Sequence, residues 1–312
     1  MSDDLFAARL ENFAAEGELL AFNLAAVAEA LDTIAELNEQ NVGGETVEKR
    51  IGEYKSWDPD IFKVDKDTEN GYTKRLEATG RSVVLLSEEV GRLEINAGKG
   101  GPKFFCVCDP FDGSYLFKRG IPDFWYSSLS FYDEQFDMLS CAVGDGVQRK
   151  IAFASEKGAF IADLEGEGLG HKFQLSPQYR DQMGRKALTE FDGASIESYA
   201  MKPKKFLSPL MDEYREFMEL FKFFLPNGGP YGFVDVAEGK IDCYFARRQP
   251  FVDVFSGVMV AEKAGAVVTD FDGNPVRCSD NVQSLHDVVA TTNQALHDKV
   301  LAEIAKCKAK RA

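Results

Sequence analysis

The first part of the chain carries a helical hydrophobic period. Over residues 5–38, Ala and Leu recur between acidic and amide positions, which predicts one long helix or two shorter ones covering a sheet. A polar stretch through Gly43-Gly44 breaks the pattern, and Asp58-Pro59-Asp60 marks a turn before Ile61-Phe62-Lys63-Val64. The spacing then predicts a helix over 66–78 and a strand over 81–86 that ends at Ser87-Glu88-Glu89. Strands follow at 103–108, 124–132, 137–144, 150–154 and 158–162. Their connections are too short for helical crossovers, so neighbours should pair antiparallel.

From 166 to 186 the chain is polar and interrupted, the expected seam between two halves. Beyond it the pattern predicts a strand at 195–200, a helix at 207–221, and strands near 223–226 and 241–246. Small and apolar residues over 255–264 read as a buried helix, and Val267-Val268-Thr269-Asp270 as a strand leading into a turn at Asp272-Gly273. A strand at 287–291 and a Lys-rich amphipathic helix from Gln294 close the chain. Phe-Asp-Gly occurs at 111, 191 and 271 in unrelated surroundings, which is coincidence and not an internal repeat.

Among these elements one segment carries chemistry: Cys108-Asp109-Pro110-Phe111-Asp112-Gly113-Ser114. The apolar run Phe104-Phe105-Cys106-Val107 precedes it as a buried strand, which Pro110 is expected to stop, and Gly113 permits backbone that a side chain resists. Two hard oxygen donors thus leave a strand end together beside backbone N–H groups, an arrangement suited to divalent metal and to phosphate. Two plainer readings compete: a solvated turn, since Asp and Gly dominate turns, or a fragment of a calcium loop. The alternate-residue ligand spacing of an EF-hand is missing.

Composition narrows the classes. At 312 residues, with 45% hydrophobic and 12% aromatic content, the chain fits one large or two fused α/β units with a substantial core. A net charge of −15 disfavours a nucleic-acid backbone or an anionic membrane as partner. No apolar run approaches the ~18 residues that would span a bilayer, and the acidic N-terminus shows no signal peptide. The six cysteines are scattered without a disulfide pattern and read as reduced core thiols in a cytoplasmic protein. Cys106 and Cys108 form a Cys-x-Cys without a second pair at zinc spacing. His171, His286 and His297 each lack a neighbouring ligand pair and read as surface or edge residues. Any chemistry therefore falls to carboxylates.

Four acidic places line up in order: Lys63-Val64-Asp65-Lys66-Asp67-Thr68-Glu69, Ser87-Glu88-Glu89, Asp109–Ser114, and Phe251-Val252-Asp253-Val254-Phe255-Ser256-Gly257. Singly, Glu88 and Glu89 read as an exposed turn, Asp253 as a helix N-cap, and Asp65 and Glu69 as structural first-turn acids. Together, and with Ala261-Glu262-Lys263-Ala264-Gly265 running into Val267-Val268-Thr269-Asp270, the chain resembles the inositol monophosphatase and fructose-bisphosphatase superfamily of magnesium-dependent, lithium-sensitive phosphatases. Segments 154–160 and 234–242 echo that family more weakly, and the resemblance spans about residues 60–300.

The resemblance implies a layered α-β-α-β-α sandwich, with an N-terminal α+β domain over 1–180 and a C-terminal α/β domain over 181–312 carrying Asp253. It implies two or three Mg²⁺ ions, with Mn²⁺ as a substitute. Glu88, Asp109 and the Phe111 carbonyl would hold one ion, and Asp109, Asp112 and Asp253 a second. Glu88 or Glu89 would help seat a third, while Gly113 and Ser114 would meet the phosphate. A homodimer is also expected. Such a site hydrolyses a small phosphate monoester, because cations offset the anionic charge that repels a nucleophile.

The chain also departs from the family. The Asp-x-Val-Thr that orients the attacking water is absent; Trp57-Asp58-Pro59-Asp60-Ile61-Phe62 stands there, leaving Asp58, Asp60 or Glu89 as substitutes. Val252 replaces a Trp, and Leu116-Phe117 an Asn-Phe pair. The substrate segment reads Asn227-Gly228-Gly229-Pro230-Tyr231-Gly232, with Arg247, Arg248 and Lys240 as candidates for a second phosphate or as surface charges. Two rival readings remain: a 3′(2′),5′-bisphosphate nucleotidase, and a catalytically silent binding or scaffold subunit.

Overall fold

The helical period at the start of the chain forms two helices, α1 (Asp3–Phe13) and α2 (Glu18–Glu39). Strands β1 (Thr46–Lys49) and β2 (Asp60–Phe62) make a small antiparallel pair leading into α3 (Lys63–Ala78). Then come β3 (Val83–Ser87), β4 (Gly91–Ile95), β5 (Phe104–Asp112) and the short helix α4 (Ser114–Lys118). A meander follows: β6 (Tyr126–Tyr132), β7 (Met138–Asp145), β8 (Lys150–Ser155), β9 (Gly158–Glu165) and β10 (Gly168–Gln174).

The second half holds β11 (Ser195–Glu197), α5 (Ser208–Met218), β12 (Phe223–Leu225), α6 (Pro230–Ala237) and β13 (Cys243–Pro250). It ends with α7 (Phe251–Phe255), α8 (Val258–Ala264), β14 (Val267–Asp270), β15 (Leu285–Thr291) and α9 (Gln294–Ala309). The structure, a computed structural model, describes residues 3–50, 56, 58–178 and 188–311. Trp57 and the expected domain boundary at 180/181 lie outside the described residues.

Two sheets stack between three helical layers. The eight-stranded sheet has the order β10-β9-β8-β7-β6-β5-β3-β4, and the five-stranded sheet β12-β11-β13-β15-β14. Strand alternation explains the layering. Val83, Leu85, Cys106 and Cys108 turn one face of the larger sheet toward α1, α2 and α3, where Phe22, Leu31 and Ile34 meet them. Val84, Leu86, Phe105 and Val107 turn the other way and pack with Phe233, Val252 and Phe255 of α6 and α7. Tyr244, Ala246, Val288 and Ala290 close that middle layer from the smaller sheet. Phe245 and Val289 on its far face bury Phe217 of α5 and Val300 of α9. The result is the expected α-β-α-β-α sandwich.

A polar seam fastens the middle layer to the larger sheet. Ser128 donates to Ser256 Oγ at 2.7 Å, Ser130 to the Ser256 carbonyl at 2.9 Å, and Tyr132 to the Phe255 carbonyl at 2.5 Å. These groups are buried, so each bond avoids a desolvation cost of about 1–3 kcal/mol. The seam fixes the helix turn that follows Asp253.

Several local expectations are corrected. Strand β5 does not stop before Pro110 but runs through it to Asp112, because the register with β6 shifts between Asp109 and Asp112. Proline is tolerated at such a bulge. The helix expected over 255–264 begins only at Val258 as α8, after α7 ends at Phe255, and α6 forms over Pro230–Ala237, where no helix was expected. Strand β10 occupies part of the segment expected to be irregular. His297 is not a surface residue: it is 1% exposed and lies between Thr269 Oγ1 at 2.9 Å and Thr291 Oγ1 at 3.0 Å. All six cysteines are free thiols, five of them buried. Among the described residues, no helix is long and apolar enough to cross a membrane.

Candidate active site

The parallel pairing of β3 with β5 builds one corner of the site. Its register sets Ser87 opposite Cys108, so Glu88, the residue just past β3, comes alongside Asp109 within β5. From the smaller sheet, β13 passes at Pro250 directly into α7, whose third residue is Asp253. Carboxylate oxygens of Glu88, Asp109 and Asp253 consequently lie within 4.8 Å of one another. Asp109 is 1% exposed; the other two acids are half-buried.

Supporting contacts hold each contributor. Glu69 of α3 accepts from Ser87 Oγ at 2.5 Å and from the Val90 N–H at 3.0 Å, which clamps the turn presenting Glu88 and Glu89. Ser127 donates to the Pro110 carbonyl at 2.7 Å beneath the motif. Gly113 adopts φ +107°, and a Cβ there would collide with the Phe124 carbonyl oxygen, so glycine is required. Asp112 is not part of the trio. It faces Gly229, whose missing Cβ leaves the space taken by Asp112 Oδ2.

Two residues outside the expected set join the site. The Ser114 hydroxyl donates to Asp65 Oδ1 at 2.6 Å, and more weakly to the Phe111 carbonyl at 3.2 Å. Asp65 also accepts the Phe62 N–H at 2.8 Å. Burial pushes the Asp65 carboxyl up to about 7 against the pull of these two bonds, and nearby Glu88 adds to the rise. Arg50 donates through Nη2 to Glu88 at 2.9 Å and to both oxygens of Glu89 at 2.5 Å. Burial disfavours the Arg50 charge, but Glu88 and Glu89 outweigh it and hold the guanidinium firmly protonated.

The donor chemistry fits a hard divalent cation. Three carboxylates converge without His or Cys among them, the preference of magnesium or manganese over zinc or copper. The chain matches the description of the inositol monophosphatase family over residues 16–309.

The chain belongs to that family. It is 26% identical over 231 residues to a fructose-1,6-bisphosphatase/inositol-1-monophosphatase of Methanothermobacter thermautotrophicus, covering 72% of this chain and 76% of that protein. A bifunctional NADP phosphatase/NAD kinase of Methanococcus maripaludis is 24% identical across 82% of this chain and 46% of that protein. In fold, the extragenic suppressor protein SuhB of Bartonella henselae superimposes with a TM-score of 0.69 at 18% identity, covering 91% of this chain and 96% of the other.

Other expected residues have side-chain or backbone partners outside the acid trio. Asp58 pairs with Lys202, and Asp60 with Lys49 at 3.7 Å, so neither joins the acid trio. Arg247 is held by Glu213 through Nε at 2.9 Å, and Arg248 is exposed with its N–H on Asp287 at 2.7 Å. Asp65 was legible only as a first-turn acid, because its partner Ser114 lies 49 residues away. No sequence signal marks Arg50.

Proposed function

We propose that this chain is a Mg²⁺-dependent phosphatase of small phosphate monoesters: an inositol phosphate, a sugar phosphate or a fructose-1,6-bisphosphate-like compound. The observation that carries this reading is the meeting of Glu88, Asp109 and Asp253 within 4.8 Å from three separate elements. Those acids, with Asp112 and the Phe111 carbonyl, are the residues that would hold two or three ions, for which Mn²⁺ would substitute. Bound there, the cations supply charge neutralisation for the ester and acidify the attacking water.

The chain's own residues supply a path for the proton. A water beside Ser114 can give its proton to Oγ while the Ser114 hydroxyl hands its own to Asp65 Oδ1, 2.6 Å away. Asp65 must be ionised to accept it. This pair serves in place of Asp58, Asp60 or Glu89 as the water-orienting group, and it supports an active over a silent protein. Gly113 and Ser114 meet the phosphate, and Asp112 against Gly229 joins the phosphate corner to the substrate segment.

The reading also includes a division near 180/181, a homodimer and a cytoplasmic location, with neither nucleic acid nor membrane as partner. A second substrate class, a nucleotide phosphate, is raised by the resemblance to the NADP phosphatase/NAD kinase. Phosphate release from inositol 1-phosphate, fructose 1,6-bisphosphate, NADP and adenosine 3′,5′-bisphosphate, with Mg²⁺ or with chelator, tests the reading and ranks the classes. Asp109→Asn should lower turnover by roughly 10²-fold or more while preserving the fold. Turnover that survives that change, or survives chelation, refutes the assignment.

A further inference from the structure

Arg50 follows β1 directly, and its side chain is 7% exposed. Its backbone N–H donates to the Pro59 carbonyl at 2.7 Å and its Nη1 to the Asp58 carbonyl at 2.6 Å. Nη2 is shared between Glu88 and Glu89, whose side chains are 14% and 4% exposed. Three buried charges therefore define one another. A guanidinium does not lose its proton in a protein, and an unpaired buried carboxylate is costly. Both oxygens of Glu89 already face a fixed cation. Nε of Arg50 is buried with no acceptor among the described residues, so the guanidinium retains one donor that these contacts do not use.

We propose that Arg50 is a resident cation of the active site: it takes the place of a metal ion at Glu89, so that Glu89 contributes no ligand and the cluster holds one ion fewer. This rests on the reading of Glu88, Asp109 and Asp253 as a cation site. It replaces the expectation that Glu89 helps seat a further ion. Arginine suits the task because its planar donors reach two carboxylates at once. A tethered charge is also present at every metal concentration, whereas a weakly held ion is not.

Counting Mn²⁺ bound per chain, from the EPR signal of the free ion, tests the proposal without recourse to turnover. Arg50→Gln should bind one ion more than the unaltered protein, and Arg50→Lys, which keeps the charge, should not. Adding Glu89→Gln to Arg50→Gln should return the count to its starting value. An unchanged count in folded Arg50→Gln overturns the proposal. Should that variant fail to fold, Glu89→Gln alone decides: an unchanged count supports the resident cation, and a lowered count rejects it. If the unaltered protein binds no Mn²⁺, the cation-site reading itself fails and this inference falls with it.

Discussion

Asp109 is almost wholly enclosed and shares its corner with two other carboxylates, whereas Glu88 and Asp253 reach part-way to solvent. Its side chain therefore depends most on a counter-charge. Asp112 depends on shape instead. Gly229 sits at φ +72°, and an added Cβ would occupy the position of Asp112 Oδ2. Gly229→Ala should displace Asp112 and lower kcat by roughly 10²-fold, the effect of about 1 Å of misplacement. Unchanged kinetics with intact folding would separate Asp112 from the chemistry. At this scale the acids of the motifs were legible, because turn residues or an apolar run flank each of them in the sequence. Asp65 and Arg50 were not. Their meaning comes from Ser114 and from Glu88 and Glu89, partners that only tertiary structure brings close.

Elements bring together a second pair of buried acids. Glu197 of β11 is fully buried, accepts from Asn227 Nδ2 at 3.0 Å and lies beside Asp235 of α6. Burial raises Asp235 to about 7 from its ordinary 3.8, and burial with the Asp235 charge raises Glu197 well above 4.5. Both folded values exceed the unfolded ones, so the native state binds more protons between them. Their contribution to stability is fully present below about pH 4 and is lost as pH rises through about 7. Glu197→Gln, which preserves the carbonyl facing Asn227, should flatten the decline in urea midpoint between about pH 5 and pH 8. An equally steep decline in the variant would show that Glu197 does not carry this pH dependence.

The hydrophobic period located the long helices and the central strands, since β3, β5 and β6 are buried along their length. It missed β10 and β4 because they lie at the two edges of the sheet and carry polar, exposed positions. It missed α6 because a Gly-Gly-Pro run resembles a turn, although proline fits the first helical position.

For the whole molecule, a net charge of −15 concentrated partly in one pocket makes cations a stabilising ligand. At a hundred times the dissociation constant, an ion that binds only the native state adds about 2.7 kcal/mol. In a chain of this size that corresponds to a rise in Tm of roughly 5 °C. Thermal scans should show this rise with Mg²⁺ and lose it in Asp109→Asn, whereas a rise of equal size in both proteins would assign it to general screening. The layered architecture was readable from the order of the motifs. The contact between its halves was not, since hydroxyl-to-carbonyl bonds such as Ser130 to Ser256 leave no periodic trace.

One consequence belongs to the parallel alignment of Ser87 with Cys108. A slip of a single residue there would carry one glutamate or aspartate about 3.3 Å along its strand and turn it to the opposite surface. Misaligned chains could keep most of their secondary structure and still be inert. The active fraction recovered after refolding thus gauges how faithfully these two strands found each other, a quantity that circular dichroism does not see.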